Sequence, residues 1–104
     1  MKQITIDTNK LEWQEAEGYP QGTEIKILRR DEAGQTVILR LPAGFEISGH
    51  THTRNEEHYV LEGQYEIGDK IYSQGTYQFF PANTSHGPFT SKGGAILLIS
   101  WNEV

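Results

Sequence analysis

An antiparallel all-β domain, closed into a small barrel, is the fold the sequence predicts, on three observations. Eleven glycines and four prolines are spread along 104 residues rather than pooled in a linker, and they punctuate short apolar runs as in a sandwich or barrel. Two runs are strongly strand-like. Thr36-Val37-Ile38-Leu39-Arg40-Leu41 is rich in β-branched and aliphatic residues, and Ala95-Ile96-Leu97-Leu98-Ile99 is a continuous apolar stretch, as in a strand covered on both faces. Turn chemistry separates the runs, at Asp31-Glu32-Ala33-Gly34, Gly68-Asp69, Ser73-Gln74-Gly75 and Ser91-Lys92-Gly93-Gly94.

In chain order the predicted strands are Gln3–Thr8, Glu24–Arg29, Gln35–Leu41, Glu56–Glu62, Gln64–Ile67, Lys70–Tyr72, Thr76–Phe80 and Ala95–Trp101. One segment suits a helix: Asn9–Glu17, opened by an Asn9 cap with Glu12 three residues on, although Leu11, Trp13 and Ala16 are its only apolar anchors. Gly44, Gly63 and Gly75 read as turn glycines, and Pro81 and Pro88 as strand ends or edges. Tyr59, Tyr65, Tyr72, Tyr77, Phe79, Phe80 and Phe89 read as core or sheet-face packing, and alternation sends only one of Phe79 and Phe80 inward. Trp13 and Trp101 suit barrel ends or an oligomer interface. Arg29-Arg30 reads as a solvated turn flank, with an anion contact as the alternative.

Composition bounds the function. A chain of 104 residues is expected to form one domain, 1–104, and folding removes roughly 65% of the surface its unfolded state exposes. Nine Lys and Arg against 14 Asp and Glu leave a net charge of −5, which argues against nucleic acid, whose binding rests on cations at phosphates. The absence of cysteine excludes disulfides, thiolate metal sites and a Cys nucleophile. No apolar stretch approaches the roughly 20 residues of a membrane span, and the start, Met1-Lys2-Gln3-Ile4-Thr5-Ile6-Asp7, lacks an apolar signal core. A cytoplasmic protein without a membrane partner is expected.

The chemistry is concentrated in one segment. His50, His52, Glu56 and His58 fall within nine residues, and His86 follows farther on. On a strand, His50 and His52 share a face about 7 Å apart, so both imidazoles can converge on one ion. A turn through Thr53-Arg54-Asn55 would return Glu56 over the same ion, and His86 would close the site from a distant strand. Three histidines and a carboxylate suit one divalent transition metal ion (zinc, iron, nickel, copper or manganese) and suit calcium poorly. Surface histidines in polar loops are the alternative reading of His-x-His taken alone. Glu56 and Glu57 face opposite ways on a strand, so one of them is a solvated carboxylate.

The flanking residues resemble the cupin superfamily. Gly44, five residues, His50-Thr51-His52, three residues, Glu56, six residues and Gly63 match every interval of the first cupin motif. Gly75, Pro81, Asn83 and His86 follow the second, with Asn83 in place of a glycine and Thr90 where an asparagine would stand. The first departure is mild, because Asn tolerates left-handed backbone. The resemblance implies a single cupin barrel (a double-stranded β-helix or jelly roll) and selects Glu56, which keeps the interval to Gly63, over Glu57.

A closer resemblance runs through nearly the whole chain. Ile6-Asp7-Thr8, Leu11-x-Trp13, the His50–His52 motif, Glu56-Glu57, Val60-Leu61-Glu62-Gly63 and Ser85-His86-x-Pro88-Phe89 are similar to the cupin domain of ChrR-type anti-sigma factors. That resemblance implies zinc, with ligands mapping onto His50, His52, Glu56 and His86. The family's inhibitory activity belongs to a separate N-terminal helical domain that this sequence has no residues to supply, so anti-sigma activity is not expected to carry over.

Two functions from different classes follow. One is a small metal-dependent enzyme, dioxygenase-like, acting on a small organic molecule at open positions of the ion. The other is a non-catalytic zinc-binding sensor or regulatory module with a closed four-ligand site; a metal-stabilised barrel without separate activity is a third, blander reading. His58, two residues after Glu56, should face the barrel interior with it. It is the candidate catalytic residue, an imidazole able to move a proton beside the metal. A barrel histidine satisfied by a neighbouring Tyr or a backbone carbonyl is the alternative. A homodimer paired through Lys2–Thr8 is also expected, since open sheet edges gain from being covered.

Overall fold

The computed structural model describes residues 2–102, with the side chain of His50 outside the described residues. Eleven strands follow in order: β1 (Gln14–Glu15), β2 (Glu24–Asp31), β3 (Gly34–Leu41), β4 (Phe45–Ile47), β5 (His50–Thr51), β6 (Asn55–Ile67), β7 (Lys70–Ser73), β8 (Tyr77–Phe80), β9 (Ser85–His86), β10 (Phe89–Ser91) and β11 (Ala95–Asn102). No α-helix occurs among the described residues, and no helix is long and apolar enough to cross a membrane.

Every pairing among these strands is antiparallel, in the order β1-β2-β3-β11-β6-β10-β4, with β7 and β8 also on β6 and a separate β5–β9 ribbon. The long strand β6 makes the sheet curl. Its first half, Glu56–Tyr59, lies between β8 and β11, and its second half, Gln64–Ile67, pairs with β7. The change of partners occurs around Gly63, at φ 73°, next to a register shift opposite Ile96 and Leu97. A Cβ on Gly63 would lie 2.5 Å from the carbonyl oxygen of Gly94, so only glycine lets the strand turn there.

Alternation fills the barrel. Ala95, Leu97 and Ile99 of β11 point inward against Val37, Leu39 and Leu41 of β3, with Phe45, Val60, Tyr65 and Phe89 completing the core. The opposite side of β11, Ile96 and Leu98, is half-buried rather than covered. Phe80 packs on the core while Phe79 is exposed, as the alternation predicts.

Two expected elements are absent. The segment expected as a strand over Gln3–Thr8 has no ladder partner in this chain: residues 2–7 have no regular structure, and Ile4 and Ile6 are exposed. The helix expected over Asn9–Glu17 is replaced by a 3-10 turn, Thr8–Lys10, capped by the Asp7 carboxylate on the Asn9 amide, and by β1. Three apolar anchors do not offset the cost of helix nucleation. Trp13 instead stacks under two cations, with Lys26 Nζ 4.6 Å and Arg40 Cζ 4.2 Å from its ring centre. Arg29 is paired with Asp31 and Arg30 donates to Gln35, so the arginine pair is a turn flank.

Candidate metal centre

The centre is assembled by the ribbon of β5 and β9 against the head of β6. In that ribbon the backbone of His50 lies opposite that of His86. His52 lies just past the end of β5, in the turn to β6 rather than on the strand. That turn is stitched to the β8–β9 connection by two bonds. The Asn83 amide donates to the His52 carbonyl at 2.7 Å, and the Ala82 amide donates to Asn55 Oδ1 at 2.9 Å. Asn83 has φ 63°, so asparagine supplies the left-handed residue expected of a glycine at this point.

Glu56 is the first inward residue of β6 and is only 3% exposed. Its Oε1 lies 3.0 Å from His52 Nε2 and accepts the indole N–H of Trp101; its Oε2 is bonded to His58 Nε2 and lies 3.9 Å from His86 Nε2. Burial pushes the Glu56 carboxyl up, but the hydrogen bond and charge of His58, then the charges of His52 and His86, outweigh it and hold the group below the usual carboxylate range. Glu57 turns to the outside, where it accepts a hydrogen bond from the Tyr77 hydroxyl at 3.1 Å.

One ligand atom each from His52, Glu56 and His86 lie within 4.8 Å of one another, close enough to share one ion. Two imidazoles and a carboxylate, Glu56 and His86 buried and His52 half-buried, fit a divalent transition metal by donor type. Among the described residues these three come together; the side chain of the fourth expected ligand, His50, lies outside them.

His58 is 4% exposed and stands beside the cluster, with Nδ1 2.8 Å from the Tyr65 hydroxyl. Phe80 and Phe89 pack on its ring at centroid distances of 4.8 and 5.7 Å, and Phe80 also covers His86 at 4.6 Å. Below the cluster the barrel holds a cavity of about 310 Å³. His52, Glu56 and His58 line its head, Tyr19, Tyr65 and Trp101 its sides, and aliphatic and phenyl side chains such as Leu39, Phe45 and Ile99 the rest; among the described residues no lysine or arginine reaches it. Burial, and then the charge of Glu56, push the Tyr19 phenol up to about 12.

Three residues of this site escape a reading of the sequence. Trp101 continues the inward set Leu97 and Ile99 by one more alternation, so period two does carry a signal for it. Tyr65 reads only as an aromatic of the core. Tyr19 arrives on the β1–β2 connection, at a place no periodicity marks.

Residues 1–104 match the family model of the ChrR cupin-like domain. No curated protein matches the chain. Among solved structures, the chain is similar to an RmlC-like cupin from Shewanella frigidimarina (20% identity, 100% of this chain and 93% of that one, TM-score 0.80). It is similar to an acetylacetone dioxygenase from Acinetobacter johnsonii (17% identity, 98% and 74%, TM-score 0.77). It is also similar to the structure of Rhodobacter sphaeroides SigE in complex with the anti-sigma ChrR (21% identity, TM-score 0.74), where it covers 92% of itself and 52% of that chain. These likenesses establish the curled antiparallel barrel as a cupin fold. With the family model matched over its full length, the chain belongs to the ChrR cupin-like domain family.

Proposed function

We propose that this cupin binds one divalent transition metal ion through His50, His52, Glu56 and His86. It would act there on a small, largely apolar organic molecule, as a dioxygenase-like enzyme. The observation that carries the reading is the clustering of His52, Glu56 and His86, two of which, His52 and Glu56, also line a cavity of about 310 Å³ with largely apolar walls. An ion at that point would polarise a coordinated oxygen, or supply redox chemistry if it is iron, copper, nickel or manganese. The likeness in fold to an acetylacetone dioxygenase supports the same reaction class.

The chain's own residues have separable tasks. The aliphatic walls exclude water and favour an uncharged ligand body, because no lysine or arginine among the described residues lines the cavity to pair with a phosphate. Glu56 carries negative charge to the head of the cavity and is held in place by Trp101. His58, on the cavity wall beside it and bonded to Glu56 through Nε2, is the group proposed to exchange a proton with a bound ligand.

Membership of the ChrR family favours a second reading, a non-catalytic zinc-binding sensor or regulatory module. Metal analysis of the purified chain combined with X-ray absorption spectroscopy separates the two. Five- or six-coordinate iron, nickel, copper or manganese with an exchangeable water supports the enzyme. Four-coordinate zinc with protein ligands only supports the module, and a chain that takes up no metal refutes both.

A further inference from the structure

We propose that Tyr19 is the specificity-determining residue of the cavity, its hydroxyl donating a hydrogen bond to an acceptor atom on the bound molecule. The inference deepens the proposed function and rests on it for calling the occupant a substrate. That molecule is uncharged and largely apolar, and carries a carbonyl, ether or hydroxyl oxygen that Tyr19 recognises.

Of the polar side chains that line the cavity, all but one are committed to one another. Trp101 donates its indole N–H to Glu56, and Glu56 also meets His52 and His58. His58 Nδ1 lies 2.8 Å from the Tyr65 hydroxyl, which also accepts from Gln78 at 2.8 Å. The Tyr19 hydroxyl alone has no hydrogen-bond partner among the described residues. A phenol facing largely apolar walls completes its hydrogen bonding only with what enters the cavity, water or ligand. A ligand without an acceptor displaces the water and leaves the hydroxyl unpaired, so such a site rejects it.

The fold holds the ring in place. Gly18 and Gly22, at φ 83° and 93°, bracket Tyr19 in the β1–β2 connection. That connection closes on itself: the Ala16 amide donates to the Thr23 carbonyl at 3.0 Å, and the Thr23 hydroxyl to the Pro20 carbonyl at 2.7 Å. Ala16 and Thr23 are buried, which anchors its base in the barrel, and Tyr19 packs on the core. Burial, and then the charge of Glu56, push the phenol up, as befits a hydroxyl on the inner side of the wall. Among the described residues no lysine or arginine lines the cavity, so the acceptor belongs to a neutral group. At about 310 Å³ the cavity stands at the lower end of ligand pockets, which suits a small molecule.

Acetophenone and α-methylstyrene are probes of the same shape, one with a carbonyl oxygen where the other has a methylene carbon. Calorimetric titration of the full-length chain as purified, in wild type and Tyr19→Phe, separates the hydrogen bond from apolar burial. Tyr19→Phe should weaken acetophenone about three- to tenfold and change α-methylstyrene by less than about twofold. A crystal structure of the wild type with acetophenone is an independent reading, should the variant fail to fold. Its carbonyl oxygen is expected about 2.7 Å from the Tyr19 hydroxyl. Equal losses for the two probes, no loss for acetophenone, no binding of acetophenone to the wild type, or a carbonyl turned away from Tyr19 would overturn the proposal. So would a variant holding less metal than the wild type, which would make Tyr19 part of the ion's site. A wild-type chain that binds acetophenone through Tyr19 but holds no metal refutes the proposed function and leaves the assignment of Tyr19 standing.

Discussion

The indole N–H of Trp101, in the last strand, is donated to Oε1 of Glu56, the carboxylate at the centre of the candidate metal site. The two residues face each other in the β11–β6 ladder, so closure of the barrel and placement of the carboxylate are one event. Trp101→Phe keeps an aromatic wall and removes the donor. Metal affinity, measured by competition with a chelator, should fall about tenfold. The metal-free chain should lose about 1.5–3 kcal/mol in urea denaturation, the usual worth of a hydrogen bond to a charged group. Unchanged affinity would show that Trp101 is only a wall.

His86→Ala removes the ligand that arrives from β9, leaving His52 and Glu56 without their partner across the ribbon. Elemental analysis should fall from about one ion per chain to a small fraction of that. Full occupancy in the variant would show that the ligand assignment is wrong.

The cupin architecture was legible because its determinants are local. The apolar run Ala95–Ile99, turn glycines at strand ends and the intervals between Gly44, His50, Glu56 and Gly63 are all features of single segments. Period two turns one of Glu56 and Glu57 inward, and one of Phe79 and Phe80, but does not say which: the interval to Gly63 selects Glu56, and only the structure selects Phe80. What failed depended on partners that a single segment cannot reveal. Gln3–Thr8 has a strand-like pattern but no ladder in this chain, and within Asn9–Glu17 the residues Gln14–Glu15 pair with β2 while Trp13 meets Lys26 and Arg40. The short strands β4, β9 and β10 were missed because two- and three-residue ladders leave no periodicity to read. Tyr19 is invisible to pattern for the same reason: a turn carries it to the cavity.

Gly63 should be among the least replaceable residues of the sheet. Gly63→Ala combines a left-handed φ of 73° with a Cβ 2.5 Å from the Gly94 carbonyl oxygen, and both neighbours are backbone that cannot swing away. A loss of about 1–3 kcal/mol is expected, read as a lower urea midpoint. At Gly68, also at positive φ but with open space where a Cβ would stand, alanine should cost less, because only the conformational strain remains. Equal losses at the two positions would mean that the close approach at Gly63 does not limit stability.

Alkaline pH should reach the fold through its buried phenols. Burial and the charge of Glu56 push Tyr19 up to about 12, and burial pushes Tyr65 up as well, partly countered by the Gln78 hydrogen bond. The ordinary value is 10.0, so below that pH the phenols are protonated in folded and unfolded chains alike and their contribution is pH-independent. Above it the unfolded chain releases protons that the folded chain retains, so stability falls as pH rises from 10 towards the folded value. Urea midpoints at pH 9, 10 and 11 should therefore decline over the last interval. Absorbance at 295 nm should show a late-titrating component, smaller in Tyr19→Phe. If all the phenols titrate in a single wave near pH 10 while the chain is still folded, neither tyrosine is held in the dry wall of the cavity.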